Sequence, residues 1–310
     1  MLSFILRRLL QAIPVLLAVS VITFLLIHAA PGGPFAEEKA VPPEVLKHLN
    51  ERYKLDQPVH VQFYDYISHA VQGDLGPSFK YPGRSVNEII AVGFPVTLEL
   101  GCYALLFALL IGIGSGVCAA LSPNTWQDYL PMTFATIGIC LPAYVLGPLL
   151  VLVFGIWLEW LPVAGWGLIP GDKVLPSVTL GSVYAAYIAR LSRGGMLEAL
   201  SRDFIRTARA KGMSEAVIIF RHAMRVGLLP VVSFLGPALA GLLSGSFVVE
   251  TIFQVPGLGR YFVHGAFNRD YTLILGVTLL FASLIIVFNL VADVMLAWID
   301  PKVRQETVNG

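Results

Sequence analysis

The sequence predicts an all-α membrane protein with six transmembrane helices. Three observations predict it: a deficit of charge, six long apolar runs, and a lopsided distribution of Lys and Arg between the loops. Hydrophobic residues make up 56% of the 310, charged residues only 13%, and the mean hydropathy is +0.74. Soluble domains carry about 25% charged residues. This chain has too little polar surface to face water all round, and a bilayer supplies the apolar solvent it needs. The formal net charge of +1 excludes a strongly basic nucleic-acid binder.

The first run, Leu9 to Ala30, follows Arg7-Arg8. It exceeds the apolar core of a secretory signal and no small-x-small site ends it, so a retained span is expected. Pro14 is tolerated near its entry, and Pro31-Gly-Gly-Pro34 closes it. Five further runs, Val96–Leu121, Leu130–Phe154, Val174–Leu191, Leu229–Val249 and Leu273–Trp298, suit the roughly 20 residues that cross about 30 Å of hydrocarbon. The fourth run of the six is diluted by Ser182, Tyr184 and Tyr187. Pro131, Pro142, Pro148, Pro176, Pro230 and Pro237 do not veto these helices, because neighbours in a bundle satisfy the freed carbonyls. Cys102, Cys118 and Cys140 lie inside the runs at spacings that match no metal site, and are expected to pack as buried small hydrophobes.

Six spans put both termini on one side. That side receives Arg7, Arg8, the cluster from Arg190 to Arg225, Lys302 and Arg304, twelve basic residues against the three (Lys173, Arg260, Arg269) of the short opposite loops. The positive-inside rule therefore places both termini in the cytoplasm. The chain divides into a tail and first helix (1–30), an extracytoplasmic loop region (31–95), and a five-helix core (96–310) with a cytoplasmic loop at about 192–228. The outer loop carries Phe63, Tyr64 and Tyr66 and a helical stretch from Pro43 to Lys54, and is expected to be folded.

The inner loop reads as two short helices. Asp203 is placed to cap the first by accepting orphan amides, and Gly212 suits the left-handed position that ends it. Ser214 is placed to cap the second, with Glu215 near its positive end. The outcome is a stiff basic elbow carrying Arg206, Arg209 and Lys211. Spacing alone is equally consistent with a loop that satisfies the positive-inside rule or touches anionic lipid.

Arg206-Thr207-Ala208-Arg209-Ala210-Lys211-Gly212, followed by Met213-Ser214 and Arg221-His222-Ala223, resembles the signature loop of ABC-importer permeases, in the B-type version of the dipeptide, oligopeptide and nickel importers. Met224-Arg225 stands in the Leu-Pro slot of the general motif, with Leu229-Pro230 displaced further on. Gly73-Asp-Leu-Gly76, Glu250-Thr-Ile-Phe253, Pro256-Gly-Leu-Gly259, Asn268-Arg-Asp-Tyr271 and Asp300-Pro-Lys302 are similar to the same subfamily, and Gly76-Pro-Ser-Phe-Lys-Tyr81 to its oligopeptide branch. The resemblance implies a type I ABC-importer permease fold in a bacterial inner membrane. It implies a C-type permease partner, two cytoplasmic ATPases that bind ATP and Mg, and an extracytoplasmic peptide-binding protein. Asp203 to Ser214 would then couple to an ATPase, with Ala208, Ala210 and Gly212 allowing close approach. No Gly-x-x-x-x-Gly-Lys-Ser/Thr loop occurs, so the chain is expected to be no enzyme and to hold no cofactor or metal itself. Gly112, Gly114 and Gly116 instead lie mid-span, where small residues admit helix contacts.

Ionisable and polar residues at membrane depth are candidate path or gating residues. They are Arg190, Asp293, Glu250, Asn289, Tyr144 and Tyr187, with a pairing of Arg190 and Asp293 open and Glu250 equally readable as an interfacial anchor. An importer of dipeptides, glutathione or nickel is the alternative within the family, and an ion-coupled transporter the alternative outside it. Only Asp293 offers that transporter a mid-to-inner carboxylate.

Overall fold

The computed structural model describes residues 2–30, 33–35 and 53–299. The helices are α1 (Leu2–Ala29), α2 (Val59–Ala70), α3 (Val86–Leu121), α4 (Trp126–Cys140), α5 (Ala143–Leu150, continued as a π-wound turn Val151–Trp157) and α6 (Val174–Ser201). They continue as α7 (Asp203–Ala210), α8 (Glu215–Val217, then π-wound Ile218–Ala223 and α-helical Met224–Gly227), α9 (Leu229–Ile252), α10 (Leu258–Asn268) and α11 (Tyr271–Ile299). An isolated bridge between Pro77 and Ser85 is the only β pairing among the described residues. The expected helix from Pro43 lies outside them for nearly all its length.

α1, α3, α6, α9 and α11 are each long and apolar enough to span a membrane. The third predicted span is not one helix. α4 and α5 meet at 112° across Leu141 and Pro142, both in extended backbone. Pro142 has no N–H for the helical ladder, and its ring drives the preceding residue out of the helical region. The aromatic stretch of the outer loop forms α2, and the loop before α11 carries α10, which sequence reading left unassigned.

The contacts divide the chain into two units. One comprises Leu6–Val96 and Pro256–Leu284. At its centre Asp270 is fully buried and gathers Ser78 Oγ and the amides of Phe79 and Leu273, at 3.1 and 3.3 Å. Two separate motifs of the sequence, Gly76–Tyr81 and Asn268–Tyr271, are thus one hydrogen-bonded clamp.

The other unit comprises Thr97–Val255 with Met1–Ile5 and Ile285 onward. Its hub is α6, which packs against α4, α5, α9 and the elbow. Close approach is set by glycine. A Cβ on Gly112 would fall 2.7 Å from the Ala185 carbonyl, and one on Gly116 would overlap that of Ala189, whereas Gly114 faces open space. Gly195 lies against the Gly227 carbonyl in the same way. The three cysteines are exposed on their helices, not buried as expected. In a span the outward face is also apolar surroundings, so a thiol needs no interior to be out of water.

Candidate functional site: the elbow and the polar face of α6

α7 and α8 form the elbow, and its apolar residues share one cluster with the ends of α3 and α6. Ile205, Ala208, Ile218 and Ala223 are buried with Ala120, Met196 and Ala199 from the ends of α3 and α6. α7 ends in a Schellman motif: the Gly212 amide donates to Arg209 O (2.9 Å) and the Met213 amide to Ala208 O (3.3 Å). Gly212 stands at φ +75°, where an L side chain is strained. Met213 packs back on the cluster that holds Ala208, the apolar contact that accompanies this motif.

Three expectations for the elbow are corrected. Asp203 is the first helical residue and Arg202 the N-cap, and neither Arg202 nor Ser214 makes a side-chain capping bond. Ala208 faces the inner cluster rather than outward, because the helical period puts it one turn from Ile205. Residues 192–201 are α6, not loop, so the elbow is shorter and more tightly held than its sequence suggested. Arg209 is committed within the chain, its Nε and Nη2 donating to Glu215 at 2.8 and 3.2 Å and tying α7 to α8. That partner holds the Arg209 guanidinium above its ordinary pKa and the Glu215 carboxyl below its own. Arg206, Thr207, Ala210, Lys211 and Ser214 remain outward. Beside them stand Phe204 and Phe220, 38% and 72% exposed, which sequence reading missed. The elbow thus packs onto the ends of α3 and α6 while two Phe rings and a basic edge stay exposed.

The second feature is a polar face on α6 at helical spacing. Tyr187, Arg190, Gly194 and Glu198 are exposed along one stripe. Arg190 Nη2 donates to Thr136 Oγ1 of α4 at 2.9 Å, and the pairing with Asp293 that the sequence left open is not the one it makes. The Tyr187 ring lies tilted at 43° to that of Phe234 of α9, ring centres 5.8 Å apart, and Ser233 and Pro237 of α9 are exposed. Tyr144, 64% exposed, stands in the first turn of α5. One turn below Arg190, Arg193 makes a bidentate pair with Asp128 of α4 at 2.5 and 2.7 Å. Asp128 is nearly inaccessible and also accepts the Asn124 amide at 3.0 Å.

Other candidates fall away from this face. Glu250 is fully buried and accepts from Thr97 Oγ1 at 2.7 Å, so it is an interior brace rather than an interfacial anchor. Asn289 packs its amide against Gly236 of α9, and Asp293 is partly buried with a partner. At the far end of α6, Lys173 Nζ donates to Glu99 at 2.6 Å while Trp166 Nε1 donates to the same carboxylate at 3.0 Å. Glu99 holds the Lys173 ammonium above its usual pKa. The adjoining loop is fixed by Asp172, buried, which accepts the amides of Leu168 and Ile169 at 2.9 and 3.2 Å. Burial raises the Asp172 pKa, and the loop amides more than reverse that. Among the described residues no cluster of His, Cys, Asp and Glu fits a metal.

Residues 108–305 match the profile of the binding-protein-dependent transport system inner membrane component, and residues 1–101 match that of its N-terminal region. The chain belongs to this family. This inner membrane component is 50% identical to the oligopeptide transport system permease protein OppB of Salmonella typhimurium over 98% of its length and 100% of the relative's. It is 40% identical to the dipeptide transport system permease protein DppB of Bacillus subtilis, over 93% and 94%. Its fold is that of the inward-facing MetNI methionine ABC transporter, with TM-score 0.56, 17% identity, and coverage of 68% of this chain and 96% of that one. The component is therefore a type I permease subunit of an ABC importer, a class that works with a partner permease, ATPases and a binding protein.

Proposed function

We propose that this permease carries oligopeptides inward, with the elbow from Asp203 to Ser214 and its α8 extension seated on a cytoplasmic ATPase. The observation that carries the reading is the elbow itself, capped by Gly212 and cored by Ile205, Ala208 and Ile218. A lever that transmits ATPase closure must not bend, and this one is braced at both ends. Coupling requires a free-energy difference between two states of the path; ATP binding and hydrolysis supply it, and a rigid link between two moving bodies transmits it. Arg206 and Lys211 meet acidic side chains of the ATPase, and Phe204 and Phe220 enter its apolar groove. With the elbow cytoplasmic, both termini are cytoplasmic too, in a bacterial inner membrane.

The similarity to OppB supports oligopeptides as cargo. The lesser similarity to DppB makes dipeptides the second reading. ATP and Mg belong to partner ATPases, since the sequence has no phosphate loop. A C-type permease completes the path, and the polar face of α6 with Tyr187, Arg190 and Tyr144 borders it. An extracytoplasmic binding protein delivers the peptide. The test is a gentle-detergent pull-down of the tagged chain from its native membrane. A second permease with ATPases and a peptide-binding protein is expected, and recovery of a homo-oligomer without ATPase would overturn the reading.

A further inference from the structure

Arg190 is the first charged residue of α6 and stands at the inner end of its apolar run Val174–Leu191, where the helix passes toward the elbow. A charged group so placed does not face hydrocarbon, and such residues turn to water-filled cavities or to an opposite charge. Arg190 is exposed on the stripe of Tyr187, Gly194 and Glu198, and its bond runs to a neutral hydroxyl. Thr136 donates its own proton to Met132 O at 2.8 Å, so toward Arg190 it acts only as an acceptor that aims the guanidinium. Two acids of these helices are engaged elsewhere: Asp128 with Arg193, and Glu198 with Arg202 at 2.5 Å. A planar fork with donors to spare, oriented by a neutral acceptor, fits a carboxylate.

Resting on the peptide-importer reading, we propose that Arg190 is a substrate-binding residue that receives the C-terminal carboxylate of the peptide during its passage. Thr136 is a positioning residue. The carboxylate is the one anionic group common to nearly every linear peptide, so a single arginine recognises it without regard to side chains. The contact is charge-assisted, which makes it stronger than a neutral hydrogen bond, yet exposed enough to release.

The experiment uses the full complex in proteoliposomes with trialanine and its C-terminal amide, each supplied at equal occupancy of the binding protein. The wild type is expected to import the acid about tenfold faster than the amide, the size of one charge-assisted bond. In Arg190→Gln that ratio falls to near one, and Arg190→Lys, which keeps charge but not the fork, retains part of it. A wild type that imports both equally overturns the proposal without any variant. So does an Arg190→Gln variant that slows acid and amide by the same factor, which would assign the arginine to a carboxylate of the partner permease or to lipid phosphate. Failure of the wild-type complex to import either peptide while hydrolysing ATP would instead defeat the peptide-importer reading itself.

Discussion

At the scale of single residues, two buried carboxylates, Asp128 in its pair with the partly exposed Arg193 and Asp172 in its loop, carry testable consequences. Asp128 is 2% exposed and holds Arg193 through two short bonds. Removing one partner of such a pair leaves the other without compensation. Asp128→Asn is expected to destabilise the permease by on the order of 2 kcal/mol, the loss of charge-assisted bonds. A double-mutant cycle with Arg193→Gln, read by thermal unfolding in detergent, should give a coupling energy well above the roughly 0–1 kcal/mol of an exposed pair. Additive single effects would mean that the pair contributes nothing as a pair.

Asp172 gives a dependence on pH. Its folded pKa lies below its unfolded value, so the ionised carboxyl stabilises the loop fully above about pH 4. That stabilisation is lost as pH falls through the folded value. Exchange of the Leu168 and Ile169 amides, corrected for intrinsic rate, should be slow at neutral pH and rise only in acid. In Asp172→Asn it should be fast throughout, and unchanged protection there would show that the carboxylate does not hold the loop.

At the scale of elements, helix contact is decided by where a Cβ fits. Gly116 of α3 lies on the Ala189 carbonyl of α6, while Gly114, two residues away, faces open space. Gly116→Ala should therefore cost about 2 kcal/mol through overpacking, and Gly114→Ala should be neutral or slightly stabilising. Equal unfolding temperatures for the two would contradict the packing described. The spans themselves were legible because hydropathy integrates over twenty residues, and the same averaging hid the break at Leu141 and Pro142. Pro142 was visible, but prolines in spans are tolerated too often to mark a break alone. Gly212 was legible because the left-handed turn has one cheap solution. The caps expected of Asp203 and Ser214 were not made, because a side chain at the right position still has a choice of partners. Arg190 was recognisable as a charge within an apolar run, whereas Thr136 was not, since the two meet only after α4 folds onto α6 across 54 residues. The Asp128 pair was missed for a related reason: Asp128 precedes the apolar run from Leu130, and hydropathy gives no hint that the helix begins at Trp126.

At the scale of the whole molecule, the elbow connects to the membrane helices through one continuous apolar cluster. Ala120 of α3, Met196 and Ala199 of α6, and Ile205 and Ile218 of the elbow share it. Movement of the elbow therefore bears directly on α6, the helix that also carries Arg190 and Tyr187. Weakening the elbow should separate ATP hydrolysis from transport while leaving the helices folded. Gly212→Pro does this, because a pyrrolidine ring cannot adopt φ +75° and also removes the amide that bonds Arg209 O. The decisive measurement is peptide uptake and ATP hydrolysis together, in proteoliposomes holding the complete importer, with wild type and Gly212→Pro compared. Retained basal hydrolysis with uptake reduced at least tenfold is the predicted result, and normal uptake by the variant would contradict the coupling role of the elbow.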